Sequence, residues 1–369
     1  MMRVAGFPLA FVAAALFWLV AAPPAGAQPD AQLPGREQPT VRLVATGGTI
    51  ANHPDGRLTV DELVALVPEL DRHAIVETEQ FANVASSSLT VDQWLALAGR
   101  INTLFRERSD LAGIVVTSGT DTLEETAYFL NLTVRSDRPV VVVGAMRMPD
   151  ETGYDGAANL VHGVRVAAAP VTRGRGVVVV LNGEIHAARE VRKTHAQRLD
   201  TFDSGSYGLL GVVDDDTIVY YRRPGRRHTR RSEFDLAAIE RLPRVDIVMT
   251  YLDAPGDLLL SAYEHGAEGL VVAASGAGGT TPGQNEAIQQ LVEAGAMVVL
   301  STRTGGGRVP ARRGPIDPPA GGNGDTGRRY HPNRVSAEDL TPLKARILLM
   351  LALAVTDDGN EVQRMFRVY

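Results

Sequence analysis

Short runs of consecutive apolar residues alternate with longer stretches in which apolar positions return every three or four residues. Runs 41–45, 111–116, 139–143 and 176–181 have the length and Val/Ile content of buried strands. Between them, 58–66 and 91–104 read as helices, Leu123, Ala127, Leu130 and Val134 recur at helical spacing, and 155–160 opens a further helix. A second set follows: strands at 245–251, 270–274 and 297–301, a helix over 285–293, and a last helix from Thr341-Pro342 through Val355. Continuous apolar strands alternating with helices predict mostly parallel sheets covered on both faces. The fold class is α/β, with a larger N-terminal domain over 41–221 and a smaller C-terminal α/β domain over 244–369.

The joining segment, 222–243, begins with the basic stretch 222–231 and reads as an interdomain linker. No aromatic platform interleaves it and the net charge is −6, so no nucleic-acid partner is expected. The Gly-, Pro- and Arg-rich stretch 304–323 reads as a mobile loop.

Two strand ends carry candidate chemistry. The strand at 41–45 runs into Thr46-Gly47-Gly48-Thr49-Ile50-Ala51, where glycines allow a tight turn that presents Thr49. The strand at 111–116 runs into Thr117-Ser118-Gly119-Thr120-Asp121-Thr122 and then a helix. In parallel sheets ligands bind beyond the carboxyl ends of the strands, where Thr49 and Thr120 both fall. A purely structural alternative exists: Asp121 followed by Glu124 fits a capping box, and Ser86-Ser87-Ser88 before the next helix reads first as a cap and second as a substrate contact. The first turn lacks Gly-x-Gly-x-x-Gly spacing, which argues against a dinucleotide site.

Composition sharpens this. The 369 residues contain no Cys, which removes thiolate nucleophiles, disulfides and Cys-based metal sites. Only two of the 37 basic residues are Lys, Lys193 and Lys344; the other 37 − 2 = 35 are Arg. Lys can give up its proton when desolvated and Arg cannot, so a retained Lys is a candidate for chemistry. Lys193 lies in a connection after the strand at 176–181; Lys344, in the first turn of the last helix, is read as structural or solvated. Arg3, the apolar stretch 4–22 and Ala25-Gly26-Ala27 form a secretory signal with a small-x-small cleavage site, so 1–27 is expected to be removed and 28–40 to form a leader. The expected location is periplasmic or secreted, with no stable membrane anchor. Loss of Arg3 takes the charge to −6 − 1 = −7.

Thr46-Gly47-Gly48-Thr49-Ile50-Ala51 and Gly119-Thr120-Asp121-Thr122 resemble the two signatures of bacterial-type L-asparaginases. The likeness continues through residues 124–130, Val143-Gly144-Ala145-Met146-Arg147, 189–194 and Pro342-Leu343-Lys344-Ala345-Arg346, and covers nearly all of the mature chain. The export signal makes it similar to the type II enzymes. The resemblance implies a homotetramer of tight dimers, with each site between two subunits, and calls for no metal or cofactor. It makes Thr49 the first nucleophile and Thr120, Asp121 and Lys193 the second catalytic group. It assigns substrate binding to Ser86, Ser87, Gly119, Ala145 and Asp253. Three positions depart from the family pattern: Leu58 stands where a lid Tyr is usual, Ser87 where a Gln often binds the substrate carboxylate, and Asp253 where Asn is frequent. The 304–323 loop has no clear match to the Glu that some members donate across the dimer.

The chemistry suits an amide. A carboxamide resists water, and a covalent intermediate divides its hydrolysis into two displacements. A threonine hydroxyl needs a base, which a desolvated Lys supplies, and backbone N–H groups at the helix start following Thr120 would stabilise the oxyanion. The expected reaction is asparagine to aspartate and ammonia. The nearest alternative is a glutaminase-asparaginase or other ω-amidase. An alternative of another class, favoured by Leu58, is a periplasmic amino-acid-binding protein without turnover.

Overall fold

The computed structural model describes residues 38–311 and 331–369. The expected signal segment 1–27, leader residues 28–37 and residues 312–323 of the expected loop lie outside them.

Strand β1 (Thr40–Gly47) lies inside the sheet, with parallel neighbours on both edges, β2 (Ile75–Val84) and β3 (Leu111–Thr117). β4 (Val140–Val143) and β5 (Val177–Leu181) continue the parallel sheet beyond β3. β6 (Glu184–Ala187) turns back antiparallel to β5, and β7 (Arg192–Lys193) and β8 (Phe202–Asp203) form a separate two-stranded hairpin. β9 (Gly211–Val213) and β10 (Ile218–Tyr220) finish the far edge, giving the order β10-β9-β6-β5-β4-β3-β1-β2. A second, all-parallel sheet holds β11 (Val245–Met249), β12 (Gly269–Ala274), β13 (Met297–Thr302) and β14 (Arg334–Ser336) in chain order.

Side chains of the central strands alternate between two apolar layers. Val141 and Val143 join the layer built on α1 (Val60–Ala65) and α4 (Gly156–Ala168). Val140 and Val142 join the opposite layer, with α2 (Val91–Glu107) and α3 (Leu123–Thr133). That double burial is why the strands read as unbroken apolar runs, and each buried Val contributes about 1.5–3 kcal/mol. α5 (Asp257–Glu264) and α6 (Pro282–Glu293) cover one face of the small sheet. α7 (Pro342–Leu353) and α8 (Gly359–Val368) pack in the same apolar layer as α3, together with Val271 and Val299 of the small sheet.

α3 is therefore covered all round. Tyr128, Phe129 and Leu132 are as buried as the periodic positions Leu123, Ala127 and Leu130. The linker is also bound along its length. Arg222 pairs with Glu190, the Arg227 N–H donates to the Val368 carbonyl at 3.0 Å, and Phe234 is buried. No helix among the described residues is long and apolar enough to cross a membrane.

Candidate functional site

The chain lays β2 on one side of β1 and β3 on the other, so the connections leaving these strands diverge. In a parallel sheet that reversal opens a crevice at the carboxyl ends of the two strands. Thr49 follows the end of β1 and Thr120 the end of β3. The neighbouring strand ends are locked in register: the Thr46 hydroxyl donates to the Thr117 carbonyl at 2.7 Å, and the Thr46 N–H to the Thr117 hydroxyl at 3.3 Å.

The two turns touch. Gly47 and Gly48 have φ of 101° and 89°, in the region that favours glycine. A β-carbon on Gly48 would lie 2.3 Å from the Gly119 Cα, so both must lack a side chain for the backbones to meet. A β-carbon on Gly119 would lie 2.8 Å from the Ser86 hydroxyl, which puts the serine turn against the same place. Thr49 is half-buried, and among the described residues no side chain hydrogen-bonds its hydroxyl.

Lys193 enters from β7. Its Nζ donates to the Thr120 hydroxyl at 3.0 Å and to the Asp121 carboxylate at 2.7 Å. Thr120 is buried and the Lys193 side chain largely so, whereas that of Asp121 is 73% exposed. An ion pair this open contributes only about 0–1 kcal/mol, so Asp121 orients the amine more than it stabilises the fold.

The capping-box alternative fails. Thr122 is the N-cap of α3 and makes no side-chain cap bond. Glu124 is buried instead, where its carboxylate accepts the Lys193 backbone N–H at 3.1 Å. Its other oxygen lies 3.7 Å from Nζ of Lys344. Lys344 is not solvated: it is 1% exposed, and its amine also donates to the Val191 carbonyl. Burial pushes the Lys344 pKa down to about 8, with Glu124 acting in the opposite direction. The serines fail as caps too, because Thr90 caps α2 in a capping box with Gln93. Ser86 is buried and its carbonyl accepts from the Thr122 hydroxyl at 3.2 Å; Ser87 is exposed.

Two hydroxyls and a carboxylate in adjoining turns, with an amine from β7 bonded to one hydroxyl and to the carboxylate, are the types of group that nucleophilic and proton-transfer chemistry use. Family models for Asparaginase, N-terminal, and for the Glutaminase/Asparaginase C-terminal domain match residues 40–226 and 244–366. The chain belongs to the asparaginase family. It is 40% identical over 344 residues to L-asparaginase 2 of Bacillus subtilis, covering 90% of this chain and 88% of that one. The protein named probable L-asparaginase periplasmic, from Haemophilus influenzae, is 36% identical over 337 residues, 89% of this chain and 92% of its own. A crystal structure of a probable cytoplasmic L-asparaginase from Campylobacter jejuni superposes with a TM-score of 0.79 at 37% identity, covering 90% of this chain and all of that one.

The remaining positions that the resemblance singled out in this asparaginase-family chain have definite places. Leu58 packs against the apolar layer of α1 and α4, its N–H bonded to the Ala51 carbonyl at 2.8 Å. Ala145 is buried in a turn braced by Asp155, whose carboxylate accepts the Met146 and Arg147 N–H groups at 3.0–3.1 Å. Asp253 is exposed in the turn after β11, with φ 56°. Among the described residues no hydrogen bond or ion pair joins it to Thr49, Thr120 or Lys193.

Sequence reasoning missed Tyr154. Its hydroxyl donates to the Ile50 carbonyl at 2.8 Å, one residue from Thr49. Nothing local signals this, because the partner is 104 residues away. Tyr154→Phe leaves that carbonyl without its donor, which costs about 1 kcal/mol and loosens the Thr49 turn. The expected result is a kcat on asparagine lower by about three- to tenfold with a nearly unchanged thermal midpoint, read by ammonia release and calorimetry.

Proposed function

We propose that this chain hydrolyses L-asparagine to L-aspartate and ammonia through an acyl-enzyme on Thr49. The observation that carries this is the contact of the Gly48 and Gly119 backbones, with the Lys193 amine on Thr120 directly behind. Thr49 attacks the side-chain carbonyl, its proton passing to a base that returns it to the amide nitrogen, and collapse of the tetrahedral intermediate expels ammonia. A β-aspartyl ester remains. Water, losing its proton toward Thr120 and Lys193, then attacks the ester, and Thr49 regains its hydroxyl as aspartate leaves. Asp121 orients Lys193 and receives the substrate ammonium. Ser86, Ser87, Gly119 and Ala145 line the amino-acid side of the pocket. A glutaminase-asparaginase is the second reading, favoured by the short, exposed Ser87 where a Gln often binds the substrate carboxylate.

The working unit in this proposal is a homotetramer of tight dimers. Leu252 is 96% exposed, with Met249, Tyr251 and Leu258 exposed beside it, an apolar face suited to a second copy. Asp253 is next to Leu252, so covering that face gives Asp253 a route to the partner's pocket. Export to the periplasm or beyond is supported by the apolar stretch 4–22 and its small-x-small site.

Ammonia release from asparagine, glutamine and a simple aliphatic amide tests the reading. Asparagine is expected to give the highest kcat/KM, glutamine a lower one, and the simple amide no measurable rate. Equal asparagine and glutamine rates select the second reading. Stabilisation by amino acids without ammonia supports a binding protein and ends the proposal.

A further inference from the structure

Both lysines of the chain converge on one buried carboxylate. Glu124 accepts the Lys193 backbone N–H with one oxygen, and the other faces the Lys344 amine. Lys344 also donates to the carbonyl of Val191, two residues before Lys193. One cation from α7 thus holds the Val191-Arg192-Lys193 segment at both ends, directly at Val191 and through Glu124 at Lys193. β7 is only two residues long, so the strand pairing with β8 alone fixes it weakly. We infer that Lys344 is a positioning residue, which keeps the Glu124 carboxylate aimed at the Lys193 amide and so sets where the Lys193 amine meets Thr120. This rests on reading Lys193 as the proton-transfer group.

A compact ammonium fits the role better than a guanidinium. Lys344 is enclosed completely, and its donors diverge toward a carbonyl and a carboxylate from one point. Without that charge Glu124 is an uncompensated buried carboxylate; it turns away from its apolar surroundings, and the Lys193 amide loses its acceptor. A displacement of about 1 Å in a reacting group is enough to cost about 100-fold in rate.

The test compares Lys344→Met, Lys344→Gln and the double variant Lys344→Met/Glu124→Gln, with kcat and KM for asparagine measured per folded site. Lys344→Met is expected to lose at least about tenfold in kcat with KM within about threefold. Lys344→Gln, which keeps a donor for Val191 and tolerates folding better, is expected to lose about threefold in the same direction. The double variant recovers kcat relative to Lys344→Met, because a neutral Gln oxygen accepts the Lys193 N–H without a countercharge. Parental kcat in Lys344→Met or Lys344→Gln, with only thermal stability reduced, overturns the inference, as does a double variant no faster than Lys344→Met. If Lys193→Arg also turns over at the parental rate, the reading of Lys193 is what has failed. If Lys193→Arg is slow and the Lys344 variants are not, only the role of Lys344 falls.

Discussion

Lys193→Arg is expected to lower kcat on asparagine by about 10²- to 10⁴-fold, the usual worth of a positioned general base, while KM moves by less than about threefold. The substitution keeps the positive charge beside Asp121 and Thr120, so it isolates proton transfer from charge. A guanidinium still donates to the Thr120 hydroxyl and the Asp121 carboxylate but does not accept a proton. The fold should tolerate the change, because the Asp121 partner of the Lys193 amine is 73% exposed and an ion pair this open contributes little to stability. A steady-state kinetic comparison with a thermal melt on the same protein separates the outcomes. A slow enzyme with a parental midpoint is the expected result. Parental turnover would mean that the amine serves only as a cation.

Thr49→Ala is expected to be more severe, lowering kcat by at least about 10⁴-fold, as removal of a covalent nucleophile does elsewhere. Substrate binding should survive, because Ser86, Gly119 and Ala145 are fixed by other contacts: the Thr122 hydroxyl on the Ser86 carbonyl, the Gly48–Gly119 backbone contact, and Asp155 under the Ala145 turn. Asparagine-dependent stabilisation of the inactive variant in a thermal shift assay checks that half of the expectation. Loss of both binding and turnover would point to a collapsed turn rather than a missing nucleophile.

The features legible in the sequence are those that local pattern decides. Val-rich strands reveal themselves because both faces of the sheet are covered, and the glycine turns at Thr49 and Thr120 because backbone contact demands residues without side chains. β2 escaped notice because it is an edge strand, half-exposed along its length, in which Val76 and Phe81 are separated by Glu77, Glu79 and Gln80. The role of Glu124 was illegible for a different reason. A carboxylate in a first helical turn looks the same whether it caps the helix or turns inward, and here Lys193 and Lys344, both remote in sequence, decide. For Lys344 only the solvated half of the reading fails, since a lysine near a helix start gives no sign of burial until the helix is docked. Arg-rich composition pointed to both lysines equally. Only the fold separates the amine at the pocket from the one beneath it.

The central claim is that Thr49, not Thr120, carries the acyl group while Thr120 and Lys193 serve it from the adjoining turn. Acid-quenched turnover of asparagine by the parent and by Lys193→Arg, followed by trypsin and mass spectrometry, tests this directly. Cleavage after Arg42 and Arg57 places Thr49 on one peptide, and cleavage after Arg108 and Arg135 places Thr120 on another. An aspartyl mass increment on the peptide of residues 43–57, with fragmentation assigning it to Thr49, is the predicted result. The same increment on residues 109–135 at Thr120, with Thr49 unmodified, would contradict it.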